Sequence, residues 1–160
     1  MKTLFFTIAV LLTIATTQTA QAQDAADNNR LSQMLQSYYN IKDALVAGNS
    51  KTASESATDF IKNLNGISLK LISEGNANTL LKDAGTIADA KSIDKQRVAF
   101  ANFSTNMADV AKALKLSDQP VYIQYCPMKK ASWLSSEQAI KNPYYGSSML
   151  TCGKVTETIQ

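Results

Sequence analysis

The sequence predicts a mainly α fold, an antiparallel four-helix bundle that carries a small irregular C-terminal module containing short β-strands. Three observations lead there. Apolar residues recur at spacings of three and four through four segments between Leu31 and Leu114, the period of amphipathic helices. Short connections separate the segments, so neighbouring helices bury their apolar stripes against one another. Beyond Asp118 the composition changes, and all three prolines, both cysteines, the sole tryptophan and four of the six tyrosines lie there.

The chain opens with the three regions of a cleavable signal peptide: a positive charge at Lys2, an uncharged apolar run from Leu4 to Ala15, and a polar stretch ending in Ala20-Gln21-Ala22. The apolar run is about half of the roughly 20 residues a membrane span needs. Cleavage after Ala22 is expected, leaving an exported, soluble chain without membrane insertion, placed in the periplasm. No cysteine follows the apolar run to carry a lipid. Residues 23–29 are acidic, small and amide-rich, the composition of a disordered leader. Residues 30–160 then form a single domain, divided into a bundle over 30–117 and a module over 118–160.

Within the bundle, Leu31, Met34, Leu35, Tyr38, Ile41 and Leu45 mark the first helix, which stops near Gly48. Asn49 and Ser50 can cap a second helix, and Thr52 with Glu55 has capping-box spacing. Ala53, Ala57, Phe60, Ile61 and Leu64 supply its buried stripe, and it ends near Gly66. The stretch from Ile67 to Asn78 reads as a helical turn and a loop, because Gly75, Asn76 and Asn78 break any longer pattern. A third helix follows from about Thr79 to Ala90. Ser92 caps a long fourth helix bearing Ile93, Phe100, Phe103, Met107, Val110, Ala111 and Leu114.

In the module, Val121, Ile123 and Tyr125 alternate with Tyr122, Gln124 and Cys126, the period of a strand that Pro127 ends. Lys129 and Lys130 read as a solvated turn, and Asn142-Pro143 and Gly146 as further turns. A second short strand is expected between Met149 and Val155. The tyrosines and Trp133 can form the core of so small a module, or an aromatic face against a bound cation.

Charge and composition exclude several functions. Lys2 is the only charge before the cleavage site, so 16 basic against 13 acidic residues becomes a net charge of +2 in the processed chain. Both signs are interspersed, which gives no footprint for nucleic acid or an anionic membrane. Histidine is absent, which removes the commonest general base and the commonest metal ligand together. Asp83, Asp89, Asp94 and Asp109 lie among lysines on the helices and are explained by exposed pairing. With no nucleophile motif or phosphate-binding glycine loop, the chain is not expected to be an enzyme.

The remaining chemistry is sulfur. Cys126-Pro127-Met128 and Met149-Leu150-Thr151-Cys152 place a methionine two or three residues from each cysteine. Thiolate and thioether are soft ligands that select Cu(I) over hard ions, so Cys126, Met128, Met149 and Cys152 are candidate ligands for one copper ion. The alternative is a disulfide between Cys126 and Cys152, which would stabilise the chain by about 3 kcal/mol through loop closure. Both readings stay open at this level.

The same residues carry a resemblance. Tyr125-Cys126-Pro127-Met128, Trp133-Leu134-Ser135, Asn142-Pro143-Tyr144, Gly146 and Met149-Leu150-Thr151-Cys152-Gly153 resemble the signature of an uncharacterised bacterial domain family. That family occurs as small exported proteins and as a C-terminal extension of the periplasmic adaptor subunits of heavy-metal efflux pumps of the resistance-nodulation-division (RND) type. Lys42-Asp43-Ala44-Leu45 and Gln96-Arg97 with Ala99-Phe100 are similar too. The resemblance implies soft-metal handling, with Cys126, Met128, Met149 and Cys152 as the matching sulfurs, Trp133 as an aromatic lid, and an RND efflux adaptor as a partner.

Overall fold

The computed structural model describes residues 26–160; the expected signal peptide and residues 23–25 lie outside the described residues. Helix α1 covers residues 26–47, so residues 26–29 are helical where a disordered leader was expected. Tertiary ties hold this end. The Arg30 guanidinium lies over Gly66, and Ser32 Oγ donates to Leu116 O (3.4 Å). Asn63 reaches from α2 to Ser37 Oγ (2.9 Å).

At its other end α1 stops at Gly48, which takes the left-handed conformation (φ +73°). Gly48 N–H donates to Leu45 O (3.2 Å) and Asn49 N–H to Ala44 O (2.9 Å), the paired bonds of a Schellman stop. Asn49 then starts α2 (Ser50–Asn65), its side chain accepting from Thr52 N–H at 3.0 Å. The Thr52/Glu55 capping box is therefore not used: Thr52 is already inside the helix, and Glu55 faces Lys51 at 3.8 Å.

Helix α3 (Glu74–Asp89) begins five residues before the expected Thr79. Ser73 caps it by accepting from Asn76 N–H (3.3 Å), and Glu74 sits favourably at the positive end of the helix dipole. Gly75 and Asn76 fall in the first turn, where backbone N–H groups have no helical partner to lose, so they do not break the helix. Ser92 caps α4 (Ile93–Ala113) as expected. The buried Gln96 of α4 ties the bundle internally, with Nε2 donating to Ser50 O (2.9 Å), Ser54 Oγ (2.9 Å) and Ile87 O (3.3 Å).

The C-terminal module is an antiparallel three-stranded sheet of order β2-β1-β3, with β1 at Val121–Cys126, β2 at Ala131–Ser135 and β3 at Lys154–Ile159. Three features depart from the expected pattern. Strand β2 was not anticipated. The second expected strand is displaced toward the C-terminus, because Met149 closes a 3₁₀ turn (Gly146–Met149) rather than opening a strand. The central strand β1 does not alternate cleanly, since Gln124 and Cys126 are buried along with Val121 and Ile123.

One hydrophobic core runs through helices and sheet. Phe60 of α2 meets Phe103 of α4 edge-on at 4.8 Å, and Tyr38 of α1 stacks on Phe100 at 5.4 Å. Tyr144 continues the row to Trp133 in a T-shaped contact at 5.9 Å. Strand β2 packs along α4 and is an edge strand, so its outward polar groups need partners. Two tyrosines supply them: Tyr38 Oη accepts from Leu134 N–H (2.9 Å), and Tyr144 Oη donates to Ser132 O (2.5 Å). Tyr38 also shares a 2.7 Å hydrogen bond with Ser104 of α4. Arg97 of α4 adds a second bridge, donating to Leu45 O (2.9 Å) at the end of α1 and to Pro143 O (3.1 Å) in the module.

Replacing Tyr38 by phenylalanine keeps the ring and strands the Leu134 amide and the Ser104 hydroxyl in the core. A loss of about 1–3 kcal/mol is expected, read as a lower urea midpoint with an unchanged slope. An unaltered midpoint would show that this bridge does not hold the sheet to the bundle.

Candidate functional site

Cys126 is the last residue of β1, paired with Ala131 of β2, and the four residues between them form the hairpin turn. The turn is closed by Lys130 N–H donating to Cys126 O (2.8 Å), with Lys130 in the left-handed region at φ +57°. This curl brings the N–H groups of Met128 and Lys129 back onto the Cys126 sulfur. A thiolate is thereby offered main-chain donors at the mouth of a buried position.

Cys152 arrives from the other side of β1. After the 3₁₀ turn the chain bends, with Cys152 N–H donating to Met149 O (3.1 Å), and then enters β3. Gly153 makes this approach feasible. At φ +151° a Cβ there would lie 2.9 Å from the Trp133 ring and 3.0 Å from Tyr125 O, so only glycine lets the segment lie so close to β1 and β2. The two cysteine sulfurs, 26 residues apart in sequence, come to 3.3 Å as free thiols.

Asn142 holds this arrangement and was legible in the sequence only as a turn residue. It is fully buried. Its Nδ2 donates to Cys152 O (2.7 Å), its Oδ1 accepts from Tyr144 N–H (2.8 Å), and its side chain also reaches the Cys126 sulfur. Its own N–H bonds Leu150 O (2.8 Å), and its carbonyl accepts from Gly146 N–H (3.0 Å). One amide thus fixes both the loop carrying Cys152 and the thiol it faces.

The two thiols are inequivalent. Burial pushes the Cys126 pKa up, but the hydrogen bonds from the Lys129 amide, Cys152, Asn142 and the Met128 amide outweigh it and leave the group below the ordinary thiol range. Cys152 moves the other way, because its hydrogen bond to Cys126 and its desolvation both hold its proton. The pair therefore favours a state with one proton shared between two sulfurs, the thiolate charge centred on Cys126.

Of the expected site residues, the structure brings Cys126 and Cys152 together. Met128 stands on the hairpin turn with 65 % of its surface exposed, and Met149 is half-buried at the end of the 3₁₀ turn. Trp133 is fully buried, its ring against Gly153 and Tyr144. Its Nε1 is buried without a hydrogen-bond partner. Among the described residues no group of three or more cysteine, aspartate or glutamate side chains gathers to hold a metal ion. The chemistry on offer is that of a dithiol, which suits a soft ion and not a hard divalent one.

A pH titration of thiolate absorbance near 240 nm should show two separated steps, the first below the ordinary thiol pKa of about 8.5 and the second above it. Asn142→Ala should move the first step upward. Release of both protons in a single step at the ordinary pKa would contradict the shared-proton pair.

Comparison with known proteins adds the family. The model of the family described as a protein of unknown function (DUF3347) matches residues 34–119, from the middle of α1 to the approach to β1. No curated protein and no solved structure matches the chain significantly. The match covers the helices and stops short of the sheet, so the dithiol lies in the segment beyond it. On that match over more than half its length, the chain belongs to the DUF3347 family of proteins of unknown function.

Proposed function

We propose that this chain is an exported soft-metal-binding protein that holds Cu(I) between Cys126 and Cys152 in the periplasm and serves heavy-metal handling or efflux. The observation that carries the reading is the approach of two free thiols to 3.3 Å, with hydrogen bonds that favour the thiolate of one. Metal ligation needs thiolate, and a site that lowers the cost of losing the first proton binds soft metal at neutral pH. Met128 and Met149 lie within three residues of the cysteines in the chain and would add thioether ligands. The signal-like N-terminus supports the compartment, and the resemblance of the tail to extensions of RND efflux adaptors supports the process and an adaptor as partner.

A second reading rests on the same short sulfur distance. Oxidation would join Cys126 to Cys152 and turn the module into a disulfide-stapled interaction domain for an envelope partner, without metal. The compartment favours that state unless the thiols are protected.

A thiol count on protein taken from the exporting compartment, followed by Cu(I) competition against a chelator after reduction, separates the two. Free thiols and one bound Cu(I) per chain, lost on Cys126→Ser with Cys152→Ser, are expected. Asn142→Ala should weaken binding by about 10–100-fold, the usual effect of removing a residue that orients a ligand. Blocked thiols, with no copper affinity after reduction beyond that of the double serine variant, would overturn the metal reading and leave the stapled module.

A further inference from the structure

In the two segments that carry the cysteines onto one another, residues 127–130 and 149–155, every charged side chain is a lysine. Between Gln119 and Gln160 the chain has two carboxylates, and both are engaged away from the cysteines: Glu137 with Lys141 at 2.6 Å, and Glu157 with Lys112 at 2.7 Å. Three lysines lie at the cysteine end of the sheet. Lys129 and Lys130 belong to the turn wrapped on Cys126, and Lys154, two residues after Cys152, pairs with Tyr125 in the β1–β3 register. None of the three has an ion-pair partner among the described residues. Lys130 and Lys154 are exposed, and Lys129 is half-buried.

A partner protein is a poor fit for this end. Among the described residues the large apolar side chains exposed beside the cysteines are Met128 and Leu150, so this end offers little of the apolar centre that a protein interface buries. Access is also narrow, because Cys126 is fully buried and Cys152 is the half-exposed sulfur. A small ligand carrying negative charge can reach Cys152 first and pass its metal inward to Cys126.

We propose that the three lysines select the form in which the metal arrives, so that the dithiol exchanges soft metal with small anionic complexes, carboxylate or thiolate chelates, in preference to neutral or cationic ones. This rests on the soft-metal reading, and its mechanism is electrostatic steering. Lysines within a few residues of the sulfurs raise the local concentration of an approaching anion, typically by tenfold or more at low salt. The transfer is ligand exchange. A chelate–metal bond breaks as the Cys152–metal bond forms and the proton held at Cys152 passes to water; a second breaks as the Cys126 thiolate binds, and the chelator leaves with its charge unchanged. No electron moves.

Two measurements on the reduced full-length mature protein test it. The first needs no metal: the rate of reaction of the thiols with the dianion 5,5′-dithiobis(2-nitrobenzoate), divided by the rate with neutral 4,4′-dithiodipyridine. The second compares Cu(I) transfer from the anionic bis-bicinchoninate complex with transfer from the cationic neocuproine complex. In both, the preference for the anion should fall about tenfold or more when Lys129→Glu, Lys130→Glu and Lys154→Glu are combined. It should fall likewise in the unaltered protein between about 10 mM and 0.5 M salt, where screening shortens the field's reach. Anion-to-neutral ratios indifferent to both salt and charge reversal would overturn the inference. Loss of the thiol-reagent preference with no Cu(I) uptake from either chelate would overturn the metal chelate as the cargo, and with it the soft-metal reading, while locating the failure there rather than in the charge.

Discussion

The free edge of β2 is closed by two phenolic hydroxyls, and the attachment of the sheet to the bundle follows from that. An edge strand packed against a helix cannot leave its outward amide and carbonyl unsatisfied. Tyr38 meets the Leu134 amide from α1, while Tyr144 meets the Ser132 carbonyl from within the module. Tyr38 is bound at the same time to Ser104 of α4, so one buried oxygen joins two helices and a strand. Burial holds both phenols far above their usual pKa, which keeps them neutral hydrogen-bonding groups throughout the physiological range.

The cysteine pair depends on this scaffold. Cys126 ends the strand next to the tethered one, and Cys152 is held by Asn142, whose neighbour Pro143 is bound by Arg97 from α4. Residues of the helices within the family match, among them Leu45, Gln96, Arg97 and Phe100, have structural work of this kind. Leu45 supplies the carbonyl that Arg97 grips, Gln96 ties three helices, and Phe100 packs against both Tyr38 and Tyr144. The helical part therefore supports the module, and the module presents sulfur.

The helices were legible because cap residues and apolar period agree. Asn49 and Ser92 each accept a backbone hydrogen bond at a helix start, and Gly48 stops α1 where the period ends. The start of α3 was misread because Gly75 and Asn76 are breakers in a helix interior but nearly neutral in a first turn. Strand β2 left no pattern, since Ala131-Ser132-Trp133-Leu134-Ser135 ends with three consecutive buried residues, and its hairpin places Lys130 where the usual signal is glycine or asparagine. The cysteines and methionines could be named from composition and compartment. That the two thiols meet is a tertiary result of Asn142 and Gly153, whose contacts span β1, β2 and the last loop and leave no short-range trace.

The place of Trp133 gives the molecule a property unrelated to packing. It is the only tryptophan in the chain, sealed from water, with its ring against the glycine that follows Cys152. An indole so placed emits at short wavelength while the sheet is intact and shifts to the red only when water reaches it. Changes at the nearby sulfurs alter its brightness instead, through quenching by a thiolate, a disulfide or a bound heavy atom. Colour and intensity thus separate loss of fold from change of state at the cysteines, and the protein carries an intrinsic optical reporter of both.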